Sequence, residues 1–324
     1  MSRPREDGIV IGTLEPGSRN SIADVGVAVG HVTVERTGVT AVVPPSLPLP
    51  AGTAVLNGAG ELTGSLEIRE WGILETPVYL TSTHAVGRVY DGAVSVAMAS
   101  DPSVGVDDVV IPVVGECDDS WLSDARVAHV QPGDVARAVA GATPDFEQGA
   151  VGAGAGMSCL GWKGGVGSAS RRGGEHTVGV ILLTNFGSRE QLRVDGVPIG
   201  QLLEDRPDEM PGPGGSCIAV VATDAPLTPP QLERLARRAG LGLARAGSVA
   251  HHGSGEIFVA FATVAERSFP DRELDPLFQA AVDATEEAVL CSLWAAVDTV
   301  GREGRLVRAL PREKVLDLYR ARGR

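Results

Sequence analysis

Four short stretches of the 324-residue sequence hold residue types that could carry out acyl chemistry. The first, PGPGGSCIAVVATDAP over 211–226, runs from Pro and Gly straight into Ser216 and then into the apolar run Ile218-Ala219-Val220-Val221. Serine is a possible nucleophile, and Gly215 before it is the most permissive backbone unit. A cut at this seam would turn Ser216 into a new N-terminus. The second, HHGSGE over 251–256, opens another apolar run. Ser254 and Glu256 stand two apart, which in extended chain puts both side chains on one face, where a carboxylate could orient a hydroxyl or accept its proton. Ser-x-Glu is also common where it does neither. The third is Asn185 in LLTNFG, either a turn former at a strand end or an amide aimed at an oxyanion. The fourth, VVGECDDSWLSD over 113–124, gathers Glu116, Asp118, Asp119 and Asp124. It reads as a solvated acidic loop or as a socket for a substrate ammonium group.

Other chemistries find less support. The glycine-rich GAGAGMSCLGWKGGVG (152–167) has Met157 where a GxGxxG needs glycine, and Lys163 is followed by Gly164 rather than Ser or Thr. It reads as close backbone packing or a loop lining a substrate. The six histidines show no HxH or HExxH spacing, so no metal is expected, and no cofactor is expected either. No serine sits in GxSxG. Cys117, Cys159, Cys217 and Cys291 form no CxxC pair and read as buried free thiols. A net charge of -13 and a pI near 4.9 would repel phosphate backbones, which argues against nucleic acid and anionic membrane as partners. The N-terminal MSRPREDGIVIGTLEPG lacks the apolar core of a signal peptide, and no apolar run approaches the ~20 residues of a membrane span. A cytoplasmic protein is expected.

These residues must be positioned by the elements around them. Strands are expected at Ile9–Ile11, Val39–Val43, Val78–Thr81, Val109–Ile111, Val178–Leu183 and Ile257–Phe261, each an apolar run between turn residues. Helices fit 83–100 and 132–140. Thr228, Pro229 and Gln231 form a capping box for a helix that buries Leu232, Leu235, Ala236 and Ala239. A second helix should start in the same capped way at Asp275-Pro276, bury Leu277, Phe278, Ala281, Ala288, Leu293 and Ala296, and end at Gly301. A short amphipathic helix over 313–321 closes the chain. Only 204–215, EDRPDEMPGPGG, reads as linker. The sum is a layered α/β fold.

Taken in order, the motifs carry more than each does alone. NSIADVGVAVGHVTV, LNGAGELTG, ETPVYLTST, PVVGECDDSWLSD, GAGAGM with WKGGVGSASR, LLTNFG, GGSCIAVVATDAPL, GSGEIFVAFAT and ATEEAVLCSL follow one another over nearly the whole length. In this the chain resembles peptidase family S58, the P1 or DmpA-type aminopeptidases, which include β-aminopeptidases. The resemblance implies a four-layer αββα sandwich, shared with ornithine acetyltransferases and similar to Ntn hydrolases with different connectivity. It implies one domain over 1–324, cut by the protein itself between Gly215 and Ser216 into chains 1–215 and 216–324. Ser216 is then the nucleophile, Ser254 and Glu256 its paired helpers, Asn185 the oxyanion donor and Glu116 the anchor for the substrate amine. Some members carry a tyrosine where this chain has Asp118, and Trp121 could narrow the same pocket. The function implied is a serine aminopeptidase or amidase acting on short peptides and aminoacyl amides with a free amino terminus, in an oligomer of four αβ heterodimers. Acyl transfer or oligoamide hydrolysis on the same fold, generally with threonine as nucleophile, and an uncleaved small-molecule binder are the alternatives.

Overall fold

Short runs rich in Val, Ile, Thr and Ala pair into two main sheets, because β-branched side chains suit a pleated, buried surface. The structure is a computed structural model that describes residues 2–204 and 215–322. Residues 205–214 of the expected linker lie outside the described residues. One sheet has the order β1 (Ala28–Val34), β2 (Thr37–Val43), β5 (Val78–Ser82), β6 (Val113–Cys117). The other has the order β4 (Ile73–Leu74), β3 (Leu49–Gly58), β12 (Ser254–Ala262), β11 (Gly215–Thr223), β10 (His176–Asn185), β9 (Gly165–Gly173). Two small hairpins join β7 (Ser158–Cys159) to β8 (Trp162–Lys163) and β13 (Thr299–Val300) to β14 (Leu306–Val307). The helices are α1 (Ser65–Trp71), α2 (Val86–Ser100), α3 (Pro132–Ala140), α4 (Ile199–Leu202), α5 (Pro229–Ala246), α6 (Leu274–Trp294) and α7 (Arg312–Ala321).

Three apolar interfaces stack these into four layers. Val89 and Ala93 of α2 and Val135 and Ala138 of α3 cover Val39, Ala41, Tyr79 and Val114 of the four-stranded sheet. The opposite face of that sheet, with Val29, Val42, Leu80 and Val113, packs on Ile181, Leu183, Ile218, Val220, Val259 and Phe261 of the six-stranded sheet. The far face of the six-stranded sheet, with Ala219, Val221, Phe258 and Ala260, packs on Leu232, Leu235 and Ala239 of α5 and Ala281, Ala284 and Ala288 of α6. The architecture is therefore an αββα sandwich. Its central strands are buried on both faces, so they read as continuous apolar runs rather than alternating ones.

Several sequence expectations need correction. Ile9 and Ile11 are buried in the helix-side core but form no strand; the Ile11 carbonyl accepts instead from the Arg171 guanidinium at 2.8 Å. The Val109–Ile111 run leaves Val109 exposed, and the strand there is β6, which begins one residue after Pro112, a residue with no N–H to give a ladder. Thr83–Ala85 form a 3-10 turn ahead of α2. Helix α5 starts as expected, with the Thr228 N–H donating to Gln231 Oε1 at 3.0 Å. Helix α6 instead starts at Leu274, with Asp275 inside its first turn, because a 3-10 turn at Asp271–Glu273 leads directly into it; it ends at Trp294, well before Gly301.

Helix α6 also departs from one apolar face. Asp283, Glu286 and Glu287 are buried, so its polar side meets protein rather than water. Glu287 pairs with the fully buried Arg171 of β9 and accepts from Asn20 Nδ2 at 2.5 Å, while Arg245 of α5 pairs with Asp283 and Glu286, each at 2.7 Å. Removing one member of a buried pair strands the other charge. Glu287→Ala is therefore expected to cost about 3–5 kcal/mol, read as a large fall in the midpoint of denaturant unfolding.

Candidate active site

The sheet register brings the candidate residues to one end of the molecule. Strands β11 and β12 run parallel and start together, and β10 runs antiparallel to β11 and ends there. Asn185 is thus opposite Ser216, Gly215 is opposite Ser254, and Ser216 is opposite Gly255. Ser216, Asn185, Ser254 and Glu256 are all buried. On β11 the side chains alternate, with Ile218 and Val220 toward the other sheet and Cys217 and Ala219 toward the helices. Ser216 belongs to the first set and faces the inter-sheet space. Cys217 faces away from it, and burial pushes its thiol well above the ordinary range.

Gly215 is the residue this turn requires. Its φ is +120°, and a Cβ there would lie 1.8 Å from the Asn185 carbonyl oxygen. A side chain at 215 would meet backbone as well as unfavourable torsion. The same imagined Cβ would lie 3.4 Å from Asn185 Nδ2, so the Asn185 amide lies beside Gly215.

The Asn185 side chain is held at both ends. Its Oδ1 accepts from the Ser158 N–H at 3.0 Å, and its Nδ2 donates to the Asp118 carbonyl at 2.7 Å. One hydrogen of Nδ2 is thereby used and the other remains. Ser216 Oγ accepts from the Gly255 N–H at 3.3 Å.

The spacing of Ser254 and Glu256 does put them on one face: the Ser254 hydroxyl donates to Glu256 Oε1. Burial raises the Glu256 pKa, and the serine bond opposes that. Its Oε2 has no hydrogen-bond partner among the described residues. The register places this pair level with Gly215 and Cys217, one residue out of step with the Ser216 side chain. The pair therefore lies on the Cys217 side of the sheet, and the Ser216 hydroxyl on the other.

The fourth stretch does not form a solvated loop. Glu116, on β6, is 3 % exposed. Its Oε1 accepts from the Glu61 N–H at 2.9 Å and its Oε2 from the Thr83 hydroxyl. Burial raises its pKa above the usual carboxylate value, and these two donors hold it back. Gly60 links Glu116 to the strand ends: a Cβ there would lie 3.0 Å from Glu116 Oε1 and 3.5 Å from the Gly255 Cα. The carboxylate and the Gly255 amide that touches Ser216 Oγ thus border one space. Asp119 is also buried, and burial raises its carboxyl to about 7. Asp118 is exposed; its carboxylate caps Ser120, and only its carbonyl reaches the site, through Asn185. The Trp121 ring lies under the Arg305 guanidinium at 4.3 Å. Asp124 is pulled down to about 2 by its Arg126 partner.

Sequence reasoning did not single out Thr83, Gly60, Ser158 or Gly255 for a role. All lie inside stretches it had marked, but each acts through a contact made across the fold. The glycine-rich stretch packs closely, as one of its two readings had it. His31 is structural: its ring bonds Thr40 Oγ1 at 2.9 Å and the Glu147 carbonyl at 3.1 Å, and burial lowers its pKa to about 4. Among the described residues no cluster of His, Cys, Asp and Glu could hold a metal, and no helix is long and apolar enough to cross a membrane.

What the arrangement can do is acyl transfer to a serine: a hydroxyl beside an amide donor, a backbone N–H, and an acidic socket a short way off. Comparison with known proteins agrees. Residues 20–307 match Peptidase family S58. The chain is 38% identical to the β-peptidyl aminopeptidase BapA of Sphingosinicella microcystinivorans, over 94% of this chain and 90% of that one. It superposes on the PH0078 protein of Pyrococcus horikoshii OT3 with a TM-score of 0.94 and 41% identity, each chain covered in full. It superposes on the L-aminopeptidase D-Ala-esterase/amidase of Ochrobactrum anthropi, described as a variant of the Ntn hydrolase fold, with a TM-score of 0.92 and 34% identity over 100% of this chain and 99% of that one.

Proposed function

The chain belongs to peptidase family S58, and from that premise we propose that it is made as one polypeptide, cuts itself between Gly215 and Ser216, and uses the new N-terminal Ser216 against its substrates. It is a serine-type aminopeptidase and amidase. The observation that carries the self-cutting is the seam itself: a glycine with φ +120° whose following serine hydroxyl lies beside a backbone N–H and an oriented amide.

In the cut, Ser216 Oγ attacks the Gly215 carbonyl carbon and the peptide C–N bond breaks, giving an ester and a free Ser216 amine. Water then hydrolyses the ester and releases the hydroxyl. That α-amine, with a reference pKa of about 7.7–8.0, suits a general base near neutral pH. In turnover it takes the Ser216 hydroxyl proton as Oγ attacks the substrate carbonyl, and returns it to the leaving amine; water then hydrolyses the acyl ester, which releases the acid and restores the hydroxyl. Ser254, opposite Gly215 on the neighbouring strand and oriented by Glu256, relays the proton between the Ser216 hydroxyl and amine. Asn185 Nδ2 stabilises the tetrahedral oxyanion. Glu116 binds the substrate ammonium, which supplies the cation its buried carboxylate lacks.

The substrates we assign are short peptides and aminoacyl amides with a free amino terminus, β-residues included. A panel of L-, D- and β-aminoacyl-p-nitroanilides tests the class; N-acetylated versions should be turned over far less, and equal rates would overturn the role of Glu116. Glu116→Gln is expected to raise KM for free-amine substrates on the order of 30-fold, from about 2 kcal/mol of lost ion pairing, with a smaller change in kcat. The pH dependence follows. Because burial raises the Glu116 pKa, acidification neutralises it at a higher pH than an exposed glutamate, so kcat/KM falls on the acid side from that point. Glu116→Gln should remove that part of the acid limb.

The proposal extends to one domain cut into chains 1–215 and 216–324, assembled as four cytoplasmic heterodimers. Light scattering on the purified protein should give four times the chain mass.

A further inference from the structure

Lys163 is one of only two lysines in the sequence, and it is fully buried. Its Nζ makes no ion pair within 4 Å among the described residues; it donates to three main-chain carbonyls, Gly154 at 2.9 Å, Met157 at 2.6 Å and Gly164 at 2.8 Å. Three acceptors ask for three N–H donors, which an ammonium has and a neutral amine does not. Burial works against the charge and lowers the pKa to about 7, while Asp119 works for it.

One of the three carbonyls belongs to a peptide unit with a second task. Met157 C=O and Ser158 N–H are the two ends of one planar amide. Lys163 Nζ holds the oxygen end, and Asn185 Oδ1 accepts from the nitrogen end. The Gly164 N–H adds a second bond to the same oxygen at 3.1 Å, and the Leu160 N–H ties the hairpin to the Phe186 carbonyl at 2.7 Å, next to Asn185. An ammonium on the carbonyl polarises the amide and strengthens its N–H as a donor.

That donor and the Asp118 carbonyl together decide which way the Asn185 amide points. The Asn side chain has an oxygen and a nitrogen of nearly the same shape, and their partners select the orientation. With Ser158 N–H fixed, Oδ1 is held away from the scissile bond and Nδ2 is presented. Weaken it and only the Asp118 carbonyl holds the amide, so the orientation that presents Nδ2 to a developing negative charge is less firmly fixed.

We propose that Lys163 is a positioning residue for this hydrolase, acting through the Met157–Ser158 peptide to fix the Asn185 amide as an oxyanion donor. The inference rests on the reading of Asn185 given above. A residue that merely braces the glycine-rich loop would be equally costly to lose whether or not Asn185 is present; a residue that acts through Asn185 would not.

A double-mutant cycle on the full-length, self-processed enzyme separates the two. Lys163→Met keeps the length and apolar stem and removes the donors. Rates are measured with an aminoacyl-p-nitroanilide and normalised to processed chain. The expected result is a kcat loss of about 30-fold for Lys163→Met in the native background, with KM changed less than about 3-fold, and a further loss of less than about 3-fold when it is added to Asn185→Ala. A ratio of the two losses of tenfold or more supports the proposal, and a smaller ratio overturns it. If Asn185→Ala alone keeps full kcat, the assignment of Asn185 itself has failed, which is a different result from additive losses. Should Lys163→Met fail to fold or process, the cycle is run with Lys163→Leu, which also removes the donors and keeps an apolar side chain, and the same tenfold criterion applies.

Discussion

Ser216→Ala is expected to leave one uncut chain of 33.5 kDa and to lower turnover by about 10⁶-fold, the scale seen when a serine nucleophile is removed from a hydrolase. Two losses come from one atom. Without Oγ nothing attacks the Gly215 carbonyl, so the amine that would serve as base is never released. Without Oγ there is also no acyl acceptor. The native protein should run on a denaturing gel as fragments of roughly 22 and 11 kDa, set by a covalent cut that folding alone cannot make. The neighbouring thiol of Cys217 offers no rescue, because it is buried on the helix side of the strand and held neutral there. An alanine variant that still cuts itself, or still hydrolyses an aminoacyl-p-nitroanilide, would defeat the scheme.

Asn185→Ala is expected to cost about 10²–10³-fold in kcat, or about 2.7–4 kcal/mol, with KM little changed. The amide's contribution is confined to the transition state, where negative charge builds on the carbonyl oxygen. Its effect should be large because Asn185 is 7 % exposed and already oriented, so no reorganisation is needed as the charge develops. The rate of self-cutting should fall as well, since the same amide lies beside Gly215. A loss seen only in KM would mean that Asn185 binds substrate and does not stabilise the oxyanion. Asn185→Asp is the sharper control: it keeps the size and puts an acceptor where the donor stood.

Much of this could be read from residue types and order. The Ser254–Glu256 pair follows from the two-residue repeat of a strand, and the structure bears it out with a direct bond. The glycine at 215 reads as a backbone need, and its φ is one that L side chains rarely adopt. The failures have local causes. Ile9 and Ile11 look like a strand because burial alone makes an apolar run, but a strand also needs a neighbour to pair with. Helix α6 reads as amphipathic, yet its charged face is buried, because Arg171 and Arg245 reach it from elements far off in sequence.

The amino-acid order by itself marks Ser216 as the candidate nucleophile, the glycine before it and the paired hydroxyl and carboxylate, each by residue type at short spacing, and the family by the order of motifs along the chain. Tertiary structure alone decides that Glu116 is buried against the Glu61 N–H and the Thr83 hydroxyl rather than part of a solvated loop, and that Asn185 is held between the Ser158 N–H and the Asp118 carbonyl. Both placements depend on partners 27 or more residues away. Neither is encoded in local pattern; both follow once two sheets stack and fix which carbonyls and N–H groups face one another.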